Sequence, residues 1–174
     1  MSLASVKEHF KQWNRDKDIM EFDTSSATVE QAAETIGVIP ARIAKTLSFR
    51  GDNNQAILVV TAGDAKIDNQ KFRHFFGFKA RMLSAEEVVE QTGHVIGGVC
   101  PFGLANDLGV YLDISLKRFE TVFPACGSTN SAIELTCEEL EKFSNAKSWI
   151  DVCKAWQDQE LLEQIKCLAR SRTT

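Results

Sequence analysis

The feature that most constrains the fold is a pair of neighbouring strand patterns joined by a short turn. Residues 43–49 read Ile-Ala-Lys-Thr-Leu-Ser-Phe and alternate at period two, with Ile43, Leu47 and Phe49 on one face. Residues 56–60 are apolar throughout, which is typical of a strand covered on both faces. Residues 51–54, Gly-Asp-Asn-Asn, form a turn sequence between them. The pattern therefore predicts a β-hairpin whose second strand lies centrally in a sheet.

Helical patterns alternate irregularly with further strand patterns along the rest of the chain. Val29, Ala32, Ala33 and Ile36 follow helical spacing, and Gly37 ends that helix. Other helices are predicted around Val6, Phe10 and Trp13 with a Ser5–Glu8 capping box, around Phe72, Phe75 and Phe76, after Ser84, after Thr136, and at residues 161–168. Strands are predicted at residues 18–22, 110–114, 121–125 and 131–135. This order lacks a βαβ rhythm and predicts an α+β fold, a mixed sheet surrounded by helices.

Length and composition favour one soluble domain over residues 1–174. No stretch approaches the roughly 20 apolar residues of a membrane span, and the N-terminus lacks a signal-peptide pattern. The five cysteines form no C-x-x-C pair, and the three histidines have no metal-ligand spacing. We expect a cytoplasmic protein with reduced thiols, no metal, no cofactor and no membrane contact.

Positive charge is concentrated in one segment of an otherwise acidic chain. Residues 42–81 contain eight basic and three acidic residues, so this segment carries +5 in a chain of net charge −4. A local basic face can meet a phosphate backbone, and the candidates are Arg50, Lys66, Lys71 and Arg73. The same charges are equally typical of ordinary solvated surface.

Lys45 stands out because it lies on the apolar side of its predicted strand. Period-two alternation places it with Ile43, Leu47 and Phe49. A buried ammonium without a partner is costly, so the lysine must reach water, pair with another group or face a ligand. From the strand pattern alone, a head group that reaches water is the favoured interpretation.

A second candidate is the loop Gly-Gly-Val-Cys-Pro-Phe-Gly at residues 97–103. Glycines allow backbone to approach a ligand closely and leave N–H groups free to point at it. The loop matches neither a Walker sequence nor G-x-G-x-x-G. A tight bend in a sheet explains these glycines equally well.

Two further candidates are a polar turn later in the chain and a cysteine within the glycine loop. The sequence Cys-Gly-Ser-Thr-Asn at residues 126–130 is either a plain hairpin turn or a second wall of the same pocket. Cys100 raises the possibility of a thiol nucleophile, which requires a base; no histidine lies nearby in the sequence, although the fold could bring one close. Its position before Pro101 is also consistent with packing.

In their order, these segments resemble the YbaK / prolyl-tRNA synthetase-associated editing-domain family. The likeness covers residues 24–143. It rests on the Lys45 strand, on Val-Val-Thr-Ala-Gly-Asp at residues 59–64, on the residue 97–103 loop, on Cys-Gly-Ser at residues 126–128, and on Ile-Glu-Leu-Thr at residues 133–136. The combination is specific, whereas no single motif is. The resemblance implies a barrel-like mixed sheet and no metal.

The resemblance also implies an activity, namely hydrolysis of the ester that joins a wrong amino acid to a tRNA 3′ end. It implies tRNA(Pro) carrying a small amino acid as substrate, and an association with prolyl-tRNA synthetase. The family's key lysine falls on Lys45 and its G-x-x-x-P loop on residues 97–101, so Lys45, Gly97 and Gly98 are the expected catalytic residues. The expected substrate-binding residues are Thr46, Val99, Cys100, Pro101, Phe102, Gly127 and Ser128.

Two alternatives stay open at this point. One is a module of the same fold that binds aminoacyl-tRNA or a small metabolite without hydrolysing it. The other is a cysteine-dependent hydrolase built on Cys100. The sequence alone does not specify the oligomeric state, the tRNA or the amino acid.

Overall fold

The computed structural model describes residues 2–26 and 28–156. Its α-helices are α1 Ser2–Lys11, α2 Val29–Ile36, α3 Asn69–Phe76, α4 Ala85–Thr92 and α5 Cys137–Ser144. Its strands are β1 Met20–Glu21, β2 Ile43–Arg50, β3 Ala56–Ala62, β4 Lys66–Ile67, β5 Gly109–Asp113, β6 Thr121–Pro124, β7 Ser131–Ala132, β8 Leu135–Thr136, β9 Ser148–Ile150 and β10 Cys153–Lys154. Short 3₁₀ turns at Pro40–Arg42 and Ile114–Arg118 connect some of these elements.

The main sheet has six strands in the order β8-β6-β2-β3-β5-β9 and curls into a half-barrel. β2 and β3 form the predicted antiparallel hairpin, while β3–β5, β5–β9 and β2–β6 are parallel pairs. β3 lies centrally and is buried almost along its whole length, as its apolar sequence predicts. The α+β class with a mixed, barrel-like sheet surrounded by helices is therefore confirmed.

Local sequence signals explain where most helices begin and end. Two of the predicted helix starts carry a capping box: Ser84 with Glu87 opens α4, and Thr136 with Glu139 opens α5. Gly37 ends α2 in the left-handed conformation at φ 88°. The Ser5–Glu8 capping box is wrong, because α1 already begins at Ser2 and the Ser5 hydroxyl donates to the Ser2 carbonyl.

Other sequence predictions need correction. The strand predicted at residues 131–135 is two short strands, since β7 pairs with β1 and β8 pairs with β6. Both faces of β2 are covered: Ala44 and Ser48 are as buried as Phe49, so alternation gave no exposed face. The helix predicted at residues 161–168 lies outside the described residues.

The core fills the inside of the curled sheet and extends to α1. Phe10 of α1 lies with its ring centroid 4.7 Å from that of Phe102 and 5.5 Å from that of Phe143. A smaller cluster of Ala33, Ile43 and Phe123 holds α2 against β2 and β6. Over residues 2–26 and 28–156, no helix has the length and apolar character needed to cross a membrane.

Candidate active site

A cleft of about 290 Å³ opens between α2, strand β2 and two loops. One wall, here called the strand wall, is residues 43–48 of β2. The opposite wall, here called the loop wall, contains Gly97 and Val99 from the glycine loop and Ser128 and Thr129 from the following turn. The structure thus brings the Lys45 strand, the glycine loop and the Gly-Ser turn together. The remaining lining is mostly apolar, including Val29, Ile36, Val88, Phe123 and Ala132.

Lys45 lines this cleft and is tied to the backbone beyond β3. Its Nζ donates to the Ala65 carbonyl at 2.6 Å and to the Gly63 carbonyl at 3.4 Å. Burial lowers the pKa of Lys45, and the charge of Asp64 offsets part of that effect. Two N–H groups of the ammonium are therefore held, and within the described ranges the third has no protein acceptor. The head group is thus held by backbone carbonyls and does not simply extend into bulk water.

Thr46 carries a hydroxyl for which the described protein offers no partner. Its Oγ1 is fully shielded, and no described donor or acceptor lies within hydrogen-bonding distance. A buried hydroxyl without a partner is costly, and such groups are usually satisfied by water or a ligand. Thr46 lines the same cleft next to Lys45. Thr46 therefore places an unsatisfied hydroxyl in the strand wall beside Lys45.

The glycine loop and the Gly-Ser turn touch through backbone that has no room for side chains. A Cβ on Gly98 would lie 2.7 Å from the Ser128 nitrogen and 2.8 Å from the Gly127 carbonyl carbon. Gly97 has φ 92°, a conformation that favours glycine, and its Cβ would lie 2.8 Å from Cγ2 of Thr129. Close backbone approach, the role proposed for these glycines, is thus present between the two loops themselves.

The N–H groups of the glycine loop are not equivalent. That of Gly98 donates to the Val95 carbonyl at 3.0 Å and is already used. Those of Gly97 and Val99 have no acceptor in the described protein. Free backbone donors in a cleft can stabilise a developing negative charge on a substrate oxygen. Gly97 and Val99 are therefore the available donors, while Gly98 acts as a spacer.

Four residues expected to contact substrate lie behind the loop wall. Cys100 and Phe102 have no exposed surface, Pro101 and Gly127 are buried, and none of the four lines the cleft. Burial raises the pKa of the Cys100 thiol to about 12, and backbone hydrogen bonds from Phe102 and Gly127 offset only part of that effect. A thiol with that pKa and no access to the cleft is unsuited to nucleophilic attack.

The four basic candidates separate into two groups. Arg50 lines a second cleft of about 540 Å³ that also includes Lys79 and Arg81 and shares Leu83 with the first. Arg50 pairs there with both carboxylate oxygens of Glu87, at 2.7 and 2.9 Å. Lys66, Lys71 and Arg73 line neither cleft. Lys71 instead pairs with Asp151 at 3.1 Å.

Sequence reasoning missed a segment that covers one end of the cleft. Phe22, Ser26 and Thr28 line it, just before α2. The segment is fastened to the Gly-Ser turn, since Ser26 N–H donates to the Thr129 carbonyl at 2.6 Å and Phe22 N–H to that of Asn130 at 2.8 Å. These bonds join residues about a hundred positions apart, so no local pattern reveals them. Over the described residues, no cluster of three or more potential metal ligands is present.

Known proteins resemble this chain over most of its length. The family model "Aminoacyl-tRNA editing domain" matches residues 23–143. The uncharacterised protein YwhH of Bacillus subtilis is 73% identical over 157 residues, covering 90% of this chain and all of that protein. EbsC of Enterococcus faecalis, provisionally assigned as a Cys-tRNA(Pro)/Cys-tRNA(Cys) deacylase, is 26% identical over 69% of this chain and 74% of its own length.

A solved structure has the same fold as this chain. A protein provisionally described as a trans-editing enzyme for prolyl tRNA synthetase superposes with a TM-score of 0.80 at 29% identity. The match covers 88% of this chain and 97% of that one. The matched family range also agrees with the residues 24–143 on which the sequence resemblance rests. The chain therefore belongs to the aminoacyl-tRNA editing domain family.

Proposed function

We propose that this chain is a deacylase that hydrolyses the ester of a mischarged tRNA, with tRNA(Pro) carrying a small amino acid as its substrate. The observation that carries the proposal is the cleft that Lys45 shares with Gly97 and Val99, whose N–H groups have no acceptor in the described protein. Membership of the editing-domain family supports the reaction class, and the likeness to EbsC and to the solved trans-editing protein supports the tRNA.

The size and electrostatics of the cleft support a small, uncharged aminoacyl group. At about 290 Å³ it is near the lower end of ligand pockets. Lys45 is the one charged side chain among its described lining residues, and the rest are apolar or carry hydroxyl groups. A cationic amino-acid side chain would lose its hydration there without gaining an opposite charge. Alanine, serine, cysteine and threonine all remain compatible with this lining.

The proposed chemistry needs little more than positioning. A water attacks the ester carbonyl, the bond to the ribose oxygen breaks, and the free amino acid and the tRNA leave. The N–H groups of Gly97 and Val99 stabilise the negative oxygen of the tetrahedral intermediate. Lys45 anchors polar groups of the terminal nucleotide as a cation, and Thr46 binds a substrate polar group or the water. The neighbouring ribose hydroxyl takes part in proton transfer.

The second cleft supports a route for the tRNA acceptor end. It adjoins the first at Leu83 and places Arg50, Lys79 and Arg81 beside the cleft mouth. Phosphate groups that follow an aminoacylated 3′ end would meet positive charge there. The proposal therefore keeps Arg50 as a tRNA contact and leaves Lys66, Lys71 and Arg73, which line neither cleft, off this route.

The deciding experiment incubates the purified protein with a panel of tRNAs, each carrying a labelled amino acid. The panel contains tRNA(Pro) charged with alanine, serine, cysteine, threonine or proline, and one unrelated tRNA charged with alanine. We expect turnover of at least one small mischarged amino acid on tRNA(Pro), with prolyl-tRNA(Pro) spared. Binding without turnover on every tRNA would instead favour the non-hydrolytic module.

A further inference from the structure

His94 closes the base of the glycine loop from inside the protein. The side chain has no exposed surface. Its Nε2 lies 2.7 Å from the Phe102 carbonyl, so Nε2 carries the hydrogen and donates it. The ring thus links His94, which lies just before the glycine loop, to Phe102 near the end of that loop. A second hydrogen bond joins the residues that flank this pair, since Ala105 N–H donates to the Thr92 carbonyl at 3.0 Å.

The other nitrogen of His94 connects the loop to α1. Because Nε2 is the donor, Nδ1 is free to accept, and the Ser2 hydroxyl hydrogen bonds to it. The N-terminal turn of α1 also presses on both loops of the site. A Cβ on Gly127 would lie 2.7 Å from the Ser2 carbonyl oxygen, and one on Gly103 would lie 2.7 Å from that of Ser5. α1 lies outside the family match, which begins at residue 23.

The tip of the loop depends on this internal support. Val95 and Ile96 are half or more exposed and Gly97 is exposed, so little packing holds them. The Gly98 N–H is buried and donates to Val95, next to His94 in the chain. Displacement of His94 would shift the Gly97 and Val99 donors, and small displacements of positioned groups cost catalysis heavily.

We infer that His94, held by Ser2 of α1, is a positioning residue that fixes the glycine loop in its catalytic conformation. The inference rests on the proposed deacylase function for its kinetic consequence. His94 itself contacts no cleft atom and transfers no proton to substrate. Its role is to orient the free N–H groups through the Phe102 carbonyl.

The test compares His94→Ala, His94→Gln and Ser2→Ala with His74→Gln in the full chain. His74 is an exposed histidine on α3 and is the matched control. Glutamine retains an N–H that can reach the Phe102 carbonyl, whereas alanine does not. We expect kcat to fall about 100-fold in His94→Ala with KM within about threefold, and His94→Gln to recover about tenfold. We expect Ser2→Ala to lose about fivefold and His74→Gln to be unchanged.

A second readout does not require activity. Amide hydrogen exchange of Gly98 reports the order of the loop, and we expect about tenfold faster exchange in His94→Ala, partly restored in His94→Gln. This readout keeps the inference testable even if the wild-type protein deacylates no tRNA. That result would overturn the proposed function and leave the inference to be decided by hydrogen exchange. Full kcat with unchanged Gly98 exchange in a folded His94→Ala protein would overturn the inference. Glutamine no better than alanine in both readouts would do the same.

Discussion

The two walls of the cleft are held in place by different kinds of contact. The strand wall belongs to β2, which is paired with β3 along residues 44–50 and with β6 at residues 43 and 44. The loop wall has no such ladder. It depends on glycines that allow backbone contact, on the buried Cys100, and on the bonds of His94.

This difference predicts which substitutions remove only a chemical group and which also move the backbone of the cleft. A side chain on the strand wall can be removed while its backbone stays fixed by the neighbouring strands. A change in the loop wall moves the backbone donors themselves. Substitutions in the two walls should therefore leave different kinetic and stability signatures.

The largest expected effect is at Lys45. In Lys45→Ala the ladder of β2 persists, so the protein should fold while the cation facing the cleft is lost. We expect kcat/KM for mischarged tRNA to fall about 100-fold or more. Lys66→Ala, an exposed strand lysine outside the cleft, is the control. Wild-type deacylation by Lys45→Ala would remove Lys45 from the mechanism.

Gly98→Ala tests the loop wall directly. Its new Cβ would meet backbone atoms of Gly127 and Ser128 at 2.7 to 2.9 Å, and backbone cannot move away as a side chain tip can. We expect a loss of about 1–3 kcal/mol in unfolding free energy together with a large loss of kcat. Gly77→Ala is the control, since a Cβ there meets nothing within 4 Å.

The pair of glycine substitutions separates crowding from backbone strain. Gly77 has φ 83°, so its alanine variant carries the conformational cost alone, about 1–2 kcal/mol. That variant should keep full deacylation. If Gly98→Ala were as active as Gly77→Ala, the contact between the two loops would have no catalytic importance.

The two walls also differ in how far sequence reasoning reaches. The hairpin of the strand wall could be predicted because alternation and the turn at residues 51–54 are local signals. The loop wall joins Gly98 to Ser128 and Ser2 to His94, residues up to 92 positions apart. Only the ordered resemblance indicated that these loops meet. It did not separate Val99, which lines the cleft, from Cys100 and Phe102, which lie behind it.

A smaller effect is expected where the tRNA would extend beyond both walls. Arg50→Ala and Lys71→Ala are a matched pair, because each removes the cation of an ion pair, with Glu87 or Asp151. Only Arg50 lines a cleft. We expect Arg50→Ala to weaken tRNA binding and to lower the slope of log affinity against log salt by about one, with little change for Lys71→Ala. Equal effects would return Lys71 to the tRNA-binding surface.

The smallest effect on activity is expected at Cys100. Its substitution tests whether this residue supports the loop wall or takes part in the chemistry. The thiol is buried and its pKa is raised to about 12, so thiolate is scarce at neutral pH. Cys100→Ala should keep deacylation within about threefold of wild type while losing about 1 kcal/mol of unfolding free energy. Titration of urea unfolding and single-turnover deacylation measure the two quantities. An inactive but stably folded Cys100→Ala protein would instead support the alternative function of a cysteine-dependent hydrolase. Because Cys100 also accepts from the Gly127 N–H, Cys100→Ser, which preserves that contact, should recover the lost stability in part.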